Sequence, residues 1–506
     1  MITRTTSRSR HRRIAAVLAS VVVAAGLTSC TTDEPVTDRP VRPMKVCGRT
    51  EPGPAKPPSG AVVVRPGTDD LAELTEQHPA GTTFWLATGV HVLAESEFAQ
   101  VIPKKGNTYV GAPGAVLDGR KVNRYAFAGK ADKVTIQHVT VRNFVAPGNE
   151  SVVNHNSANH WVIEHNTISD NSGAAMAAGK GQRIRFNCLR DNGQYGINAY
   201  QDSGTITDLV VHGNEIAGNN TDDWEAKIAG CGCTGGVKFW AVDGADVTGN
   251  WVHHNHGPGL WADTNNNDFV IRDNVISDNE GAAIIYETSY NAVIADNLIR
   301  GNNLLDGREF VTDGDPFPSA TIYVSESGGE PHIPARTDRL VISGNRFVDN
   351  WSGITLWENA DRFCNSPHNT SSGHCTLLVD DVEQCRSPAI KREPLRDDCR
   401  WKTQRVDIHH NRFEVDTTKI GCEYLCARMA VLANFGTSPS WSPYHGSDIQ
   451  DAITFKQDNR WHDNVYIGPW RFMAFDTDTL LEPSVWQSAP HRQDRGSVFS
   501  LRAEQP

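Results

Sequence analysis

The sequence predicts an all-β solenoid, a right-handed parallel β-helix preceded by a short N-terminal capping helix. A short alternating strand is followed by the spacing Asn-x4-Asn, and this unit recurs along most of the chain. Such a unit buries its apolar face only by stacking on its neighbours. The repeats are Asn166–Asn171, Asn187–Asn192, Asn214–Asn219, Asn250–Asn255, Asn274–Asn279, Asn297–Asn302 and Asn345–Asn350.

The distance between repeats gives the length of one coil. The first asparagines are 21, 27, 36, 24, 23 and 48 residues apart, so the period lies in the low twenties and some coils carry insertions. Three short strands and three turns fit that length, and about a dozen coils would fill residues 80–475. Asparagines stacked at a strand spacing of about 4.8 Å would bond along a ladder and tolerate a left-handed corner.

The first thirty residues are typical of an export signal. A basic stretch to Arg13 is followed by the apolar run 14–27, which is too short to span a bilayer as a mature helix. The run ends in Leu-Thr-Ser-Cys30, which resembles the bacterial lipobox. The resemblance implies cleavage after residue 29, lipid on Cys30, and a lipoprotein on the outer face of the cell membrane. An ordinary cleaved signal with a chance cysteine, or a twin-arginine signal, is the alternative.

The remaining chain divides by composition. Residues 30–59 are Pro-rich and predict a linker, and residues 69–78 have the helical spacing of a short cap for the open end of a solenoid. The β-helix is predicted over 60–480, with a Cys-rich loop at 359–402 that overhangs a groove. Residues 481–506 are expected to form a C-terminal cap.

Eleven cysteines indicate an oxidising compartment. Without Cys30 they number ten, and four fall within residues 364–399, which predicts a loop closed by disulfides of undetermined connectivity. No ligand pairs occur at zinc-finger spacing, so no metal site is expected.

The charge balance excludes one class of partner. Removing residues 1–29, which hold five arginines and no acidic residue, changes the net charge from −12 to −17. No basic face is then expected that could neutralise the phosphates of a nucleic acid. A monomer with a polysaccharide substrate is the expectation.

The strands preceding the Asn motifs carry the candidate site. Alternation in three successive coils places Val237, Leu260 and Ile284 inside the solenoid. The residues that then point outward are Lys238, Trp240, Trp261, Asp263, Ile285 and Glu287. Neighbouring coils extend this row with Asn198, Tyr200, Tyr323, Ser325 and Trp357. Aromatic rings beside charged groups are typical of sugar-binding clefts.

Asp263 and Glu287 form the predicted catalytic pair of a glycoside hydrolase. They lie one coil apart, at about 4.8 Å between strands, close to the separation of about 5–5.5 Å in retaining glycosidases. Crowding would raise the pKa of one carboxyl, giving Glu287 as acid, Asp263 as nucleophile or base, and Lys238 as a substrate ligand. A nearby cation could instead keep both ionised, and both could merely cap turns.

Two other functions remain open on the same residues. Lys238 could abstract the C5 proton of a uronate while Asp263 and Glu287 hold calcium, which would make the protein a lyase or epimerase. No cofactor is otherwise expected. The aromatic row alone would serve a non-catalytic glycan-binding protein.

Several further residues are weaker candidates. A histidine cluster, His253, His254 and His256, suggests a metal or proton-shuttle site, although exposed turn histidines explain it as well. Glu358 could reach the groove or anchor the Cys-rich loop. Glu225 and Lys227 lie in an insertion that could add contacts.

The segment Pro79-AGTTFWLATGVHVLAE, followed by IPKKGNTYVGAPGAVLDG and the repeats, resembles the pectin-lyase-like superfamily over about residues 60–480. The resemblance implies the fold and a sugar-binding groove. It implies no single activity, because the superfamily includes lyases, hydrolases, epimerases and adhesins.

Overall fold

The computed structural model describes residues 42–367, 375–386, 388–437 and 439–501. The predicted signal sequence and Cys30 lie outside these residues. Among the described residues, no helix is long and apolar enough to cross a membrane.

Thirty-seven strands in the described chain form three sheets, which we name A, B and C. Sheet A contains Val62–Val64, Thr83–Leu86, Thr108–Gly111, Thr135–Gln137, Val162–Glu164, Arg183–Arg185, Ile206–His212, Val242–Thr248, Asn267–Arg272, Ala292–Ala295, Leu340–Ser343, Val406–His409 and Arg460–His462. Sheet B contains Gly89–His91, Ala115–Asp118, Thr140–Arg142, Thr167–Ser169, Cys188–Arg190, Glu215–Ala217, Trp251–His253, Val275–Ser277, Leu298–Arg300, Arg346–Val348, Arg412–Glu414, Val465–Ile467 and Val498–Ser500. Sheet C contains Ser151–Val153, Ala174–Ala177, Ile197–Ala199, Val237–Phe239, Leu260–Ala262, Ile284–Glu287, Ile322–Ser325, Ile354–Glu358, Arg428–Ala433, Arg471–Ala474 and Leu480–Leu481.

Helices are short and lie at the ends or in insertions. The α-helices are Leu71–Gln77, Trp224–Lys227, Leu304–Asp313, Leu395–Asp398, Asp448–Asp451 and Pro483–Gln487. The 3-10 segments are Val382–Cys385 and Ala389–Lys391, and one π-helical turn spans Ala452–Lys456.

From Thr135–Gln137 to Arg471–Ala474, each coil passes through sheets A, B and C in turn, whereas the coils before residue 135 contain strands of sheets A and B only. Every strand pairs in parallel with its counterpart in the next coil, except Leu480–Leu481, which pairs antiparallel at the end of sheet C. The inward positions predicted for sheet C are confirmed, since Val237, Leu260 and Ile284 are fully buried in one continuous core. Burial of this apolar face drives the stacking.

The predicted asparagine ladder runs along the corner between sheets A and B. The Oδ1 of Asn187 accepts hydrogen bonds from the backbone N–H and the Nδ2 of Asn166, at 3.0 and 3.1 Å. The same two bonds join Asn187 to Asn214 and Asn214 to Asn250. The ladder continues through Asn274, Asn297, Asn345, Asn411 and Asn464. The prediction of a single column is therefore confirmed.

A second ladder follows the corner between sheets B and C. It joins Asn171, Asn192, Asn219, Asn255, Asn279, Asn302 and Asn350 at 2.9–3.0 Å between side chains. Both ladders satisfy backbone groups that the corners leave without a sheet partner.

The left-handed backbone of the corners falls one residue earlier than predicted. The residues with positive φ are those before the ladder asparagines, for example His165 at 59°, Phe186 at 54° and Asp273 at 57°. The ladder asparagines were expected to adopt this conformation, which is wrong. Their amides are instead committed to the ladder.

The two ends of the solenoid are covered. The predicted N-terminal cap is the helix Leu71–Gln77, which begins after Asp70 and buries Leu71. At the other end the buried carboxylate of Asp494 accepts from Asn464 Nδ2 at 3.1 Å and so closes the ladder. The strand Val498–Ser500 still pairs in sheet B, so the solenoid extends beyond the predicted boundary at residue 480.

Residues 42–59, part of the predicted linker, lie against the solenoid. A disulfide joins Cys47 to Cys188 across 141 residues of sequence. The backbone N–H groups of Val46 and Cys47 donate to the carboxylate of Glu215 at 2.6 and 2.7 Å. The described part of the linker therefore belongs to the folded body.

All ten cysteines of the described chain are paired. The other disulfides are Cys231–Cys233, Cys364–Cys375, Cys385–Cys399 and Cys422–Cys426. Two of them close the loop at residues 359–402, as predicted, and this loop lies beside sheet C. The Asn265 amide, in the turn after a sheet C strand, donates to the carbonyl of Cys375 at 2.8 Å.

Candidate functional site

A cavity of about 1100 Å³ lies over the outer face of sheet C. Its floor is formed by the outward side chains of three successive strands, and its walls by two insertions, residues 220–234 and 301–319. Arg362, from the Cys-rich loop, completes one side. Five of the predicted site residues line this cavity: Lys238, Trp240, Trp261, Asp263 and Glu287.

Lys238 is held by three neighbours on the cavity floor. Its ammonium lies 2.7 Å from the Asp263 carboxylate and donates to the carbonyl of Gly232 at 2.8 Å. It also lies 3.3 Å from the centre of the Trp261 ring, within the range of a cation–π contact. Because all these partners are fixed, Lys238 is a charged, oriented group and not a mobile surface lysine.

Glu287 is paired with an arginine that comes from another part of the chain. Its two carboxylate oxygens accept from Arg362 at 2.5 Å and from the Trp261 indole N–H at 3.1 Å. Arg362 also pairs with the buried Glu326 at 3.1 Å. Burial opposes the charge of the guanidinium, but the carboxylates of Glu326 and Glu287 raise the pKa of Arg362. Burial raises the pKa of Glu326, and Arg362 lowers it in part.

The two predicted catalytic carboxylates are therefore each compensated by their own cation. The pairing of Trp261 with Ile285 and Ala262 with Tyr286 brings Asp263 beside Glu287 in the next coil, as predicted. Lys238 neutralises the first and Arg362 the second. This is the second of the three arrangements left open by the sequence, in which nearby cations pair with both carboxylates. The choice of Glu287 as proton donor stays a prediction that crowding with Asp263 alone does not support.

Asp306 is a carboxyl group of a different kind in the same cavity. Among the described residues it has no cationic partner. Burial raises the pKa of Asp306 to about 7, and the carboxylates of Glu309 and Glu280 add to the shift. A side chain at Gly281 would place its Cβ 2.9 Å from Asp306 Oδ2, so the Asp306 carboxyl packs closely against Gly281.

The second carboxylate beside Asp306 is Glu280. The backbone N–H of Asp306 lies 3.5 Å from the carbonyl of Glu280, and both side chains line the cavity. His256 Nδ1 lies 2.9 Å from Glu280 Oε1, which orients this carboxylate. Asp306 is partly buried without a cation in the part of the chain that the structure describes, whereas Glu280 is paired with His256. Surroundings that differ in this way separate the pKa values of two carboxyl groups, so that one can act as an acid and the other as a base.

The helix Leu304–Asp313 brings Asp306 to the cavity. The preceding residue, Asn303, has a φ of 64° and its amide donates to Ser319 Oγ and to the carbonyl of Ala320 at 2.9 and 3.0 Å. These bonds tie the start of the insertion to its end. The insertion therefore holds the helix in place beside the corner of sheets B and C.

The opposite wall is the insertion at residues 220–234. Its short helix begins after Asp223, whose side chain accepts from the backbone of Ala226. The disulfide Cys231–Cys233 closes the insertion around Gly232, whose carbonyl accepts from Lys238. Asp223 and Glu225 thus face the cavity from this wall.

The remaining four predicted binding residues do not line the cavity. Asn198 is buried and donates to the carbonyl of Asn149 at 3.3 Å, and Tyr200 is exposed with its ring 6.5 Å from that of Trp240. Tyr323 and Trp357 lie under Phe317, at 6.1 and 5.3 Å between ring centres. The outward row was predicted correctly, but insertions cover part of it.

The weaker candidates also separate. His253 stacks on Trp251 and pairs with Glu215 on sheet B, away from the cavity, whereas His256 lines it. Glu358 is buried and anchors the Cys-rich loop through Arg400 and the backbone N–H of Thr403.

Comparison with known proteins supports the same architecture. Residues 151–334 match the family model described as "Right handed beta helix region". This chain is a right-handed parallel β-helix. The fold implied by the resemblance to the pectin-lyase-like superfamily is thereby confirmed. No curated protein matches the sequence.

Solved structures similar to this β-helix act on different polysaccharides. A mannuronic acid specific polysaccharide family 6 lyase from human gut microbiota is 11% identical, with a TM-score of 0.41 over 88% of this chain and 91% of that chain. The Azotobacter vinelandii mannuronan C-5 epimerase AlgE6 A-module is 13% identical, with a TM-score of 0.40 over 59% and 81%. The catalytic domain of a GH87 alpha-1,3-glucanase is 10% identical, with a TM-score of 0.36 over 89% and 67%. At these identities and TM-scores none of the three activities transfers to the β-helix.

Five charged residues of the site escaped prediction: Asp223, Glu280, Asp306, Glu309 and Arg362. All five lie outside the strands, in turns or insertions that the period does not place. A signal existed for Asp306 in the fragment Leu304-Leu-Asp-Gly-Arg-Glu, where two carboxyls occur in a helical insertion beside a coil corner.

Proposed function

We propose that this β-helix is a polysaccharide-cleaving glycoside hydrolase whose substrate lies in the sheet C cavity. The observation that carries the proposal is Asp306, a carboxyl group that shares an aromatic-lined cavity with Glu280 and has no cationic partner among the described residues. Hydrolysis of a glycosidic bond requires one carboxyl that can give a proton and one that stays charged.

The roles follow from the surroundings of each group. Asp306 gives its proton to the glycosidic oxygen as the bond from that oxygen to the anomeric carbon breaks. Glu280 takes a proton from the water whose oxygen forms the new bond to the anomeric carbon. Trp240 and Trp261 offer ring faces to the sugar. The pairs Lys238–Asp263 and Arg362–Glu287 then orient hydroxyl groups.

Elimination from a uronate is a weaker interpretation of the same cavity. A lysine base must be free to take the C5 proton, whereas the Lys238 side-chain nitrogen is held by Asp263 at 2.7 Å and by the carbonyl of Gly232 at 2.8 Å. Among the described residues, the one close group of three His, Cys, Asp or Glu ligand atoms is formed by Cys364, Cys375 and Cys385, and all three are in disulfides. The acidic residues of the cavity therefore form no ready calcium site of this kind.

Non-catalytic glycan binding is the second candidate. It is favoured by the complete ion pairing of Asp263 and Glu287, which gives a rigid, charge-compensated wall. It leaves the uncompensated carboxyl of Asp306 without a role.

A substrate screen with matched variants tests the proposal. Neutral, amino and uronate polysaccharides are incubated with the protein, and both reducing ends and the absorbance of unsaturated uronates are recorded. On a cleaved substrate, Asp306→Asn and Glu280→Gln should each lower kcat by about 10²-fold or more. Asp263→Asn and Glu287→Gln should mainly raise KM. Asp313→Asn, exposed on the same helix, is the control.

The outcomes separate the alternatives. Full turnover in Asp306→Asn together with loss in Glu287→Gln would return catalysis to the pair on adjacent strands. Unsaturated products would make the protein a lyase, and binding without products would leave the second candidate. Activity should also fall as the pH rises through about 7, because Asp306 must be protonated.

A further inference from the structure

The cavity carries an excess of negative charge. It is lined by the carboxyl groups of Asp223, Glu225, Asp263, Glu280, Glu287, Asp306 and Glu309, against the cations Lys238 and Arg362. Both cations are committed to carboxylates of the cavity, Lys238 to Asp263 and Arg362 to Glu287. A bound ligand therefore meets an acidic surface whose own cations are already used.

The excess is concentrated on two walls. Asp306 and Glu309 lie on the helix Leu304–Asp313, and Asp223 and Glu225 lie at the helix Trp224–Lys227. Among the described residues none of these four has a cationic partner. A uronate would bring like charge to these walls, whereas an ammonium would supply the missing countercharge.

An independent observation concerns the aromatic floor. The ammonium of Lys238 already lies 3.3 Å from the centre of the Trp261 ring. Trp240 lines the cavity beside it. An indole face that lies next to protein carboxylates attracts the ammonium groups of a ligand more strongly than the carboxylate groups of a ligand. The floor and the walls thus favour the same chemical class.

We infer that the cavity takes a glycan with free amino groups, whose ammonium groups lie against Asp223 and Glu225. For cleavage this inference rests on the proposed hydrolase function, but for binding it does not. The strands that follow the two walls are three strand spacings apart in sheet C, about 14 Å. An oligosaccharide can therefore place an ammonium at one wall while its scissile bond lies at Asp306. The distance matters because a cation beside Asp306 would lower its pKa and remove the proton that it has to donate.

Calorimetric titration of the Asp306→Asn protein tests the ligand class. The probes are hexamers of glucosamine, N-acetylglucosamine and galacturonate in acidic buffer at low salt. The glucosamine hexamer should bind at least about tenfold more tightly than its acetylated form, and added salt should reduce the difference. Equal affinity for the two, or tighter binding of galacturonate, would overturn the inference.

Matched variants locate the effect. Asp223→Asn/Glu225→Gln, made in the same background, should remove most of the preference, and asparagine still caps the helix that follows residue 223. Asp170→Asn/Asp191→Asn removes two charges that line a separate small cavity and should leave the preference intact. Preference retained in the first double variant would place the ammonium elsewhere and contradict the assignment.

The wild-type protein distinguishes this inference from the proposed function. Hydrolysis of neutral polymers without any advantage for amino polymers would leave the hydrolase in place and overturn the ligand class. Amine-selective binding with no cleavage of any polymer would support the ligand class and overturn the proposed hydrolase function.

Discussion

The corner between sheets A and B and the cavity over sheet C solve the same problem of buried polar groups in opposite ways. At the corner, one neutral side chain repeats in nine successive coils from Asn166 to Asn464, and each asparagine bonds to the next, as Asn214 does to Asn250. In the cavity the side chains differ from coil to coil, and the carboxylates that are paired have partners from another coil or loop, as Glu287 has Arg362.

The difference shows where each kind of interaction can serve. A ladder needs identical neighbours and therefore produces a uniform, chemically inert edge. Ion pairs between unlike residues can be placed at a single point along the solenoid, and a carboxyl such as Asp306 can be left without a cation there. Three variants test how far this contrast extends.

The largest effect is expected from Arg362→Met. It removes the cation of the buried Glu326 as well as that of Glu287, and an uncompensated buried charge costs about 3–5 kcal/mol of unfolding free energy. The loss should shrink at acidic pH as Glu326 becomes protonated. Urea unfolding at pH 7 and pH 5 measures it, with the exposed pair variant Arg272→Met as control, expected below about 1 kcal/mol.

A double-variant cycle sharpens this test. Adding Glu326→Gln to Arg362→Met removes the buried charge and should restore part of the lost stability. If the double variant is no more stable than Arg362→Met, the cost lies in packing of the loop and not in the charge.

An intermediate effect is expected at the ladder. Asn250→Ala leaves the backbone N–H of Asn214 and the carbonyl of Val211 without partners, which should cost about 2–4 kcal/mol. The shift of the urea midpoint measures it. Asn156→Ala, an exposed asparagine with a single bond to the backbone of Gly129, is the control. Equal shifts in the two variants would mean that the ladder adds no stability beyond an ordinary hydrogen bond.

The smallest effect is a gain in stability. Asp306 has a folded pKa of about 7 and an unfolded one of about 3.9, so between these values the folded state holds a proton that the unfolded state has lost. Raising the pH across this window destabilises the wild type. Asp306→Asn should therefore unfold about 2 °C or more above the wild type at pH 8, with little difference at pH 4. Asp313→Asn should show no such pH dependence, and a shift of the same size in both would implicate general charge.

The fold was predictable from the sequence because its signals are periodic. The asparagine column and the inward positions Val237, Leu260 and Ile284 follow from spacing and alternation alone. The outward row was predicted for the same reason, and it correctly brought Trp261, Asp263 and Glu287 to one face.

The chemistry of the site was not predictable in the same way. Arg362 is 75 residues from Glu287 in sequence, in a loop whose path depends on two disulfides and the buried pair Glu358–Arg400. The environment of Asp306 depends on how a ten-residue helix packs beside Gly281. Neither contact produces a periodic pattern in the sequence. Both determine which carboxyl group of the site keeps its proton.

The corner between sheets A and B has a consequence for how such a chain can change over time. From Gln137 to Val465, each corner consists of two residues, whereas the turns on either side of sheet C range from a few residues to more than forty. A corner of constant length fixes the register of sheets A and B again in each coil. A residue inserted into or deleted from a loop therefore does not shift the strands that follow. Cavity walls can therefore be exchanged or lengthened one at a time, and the strands downstream keep their register.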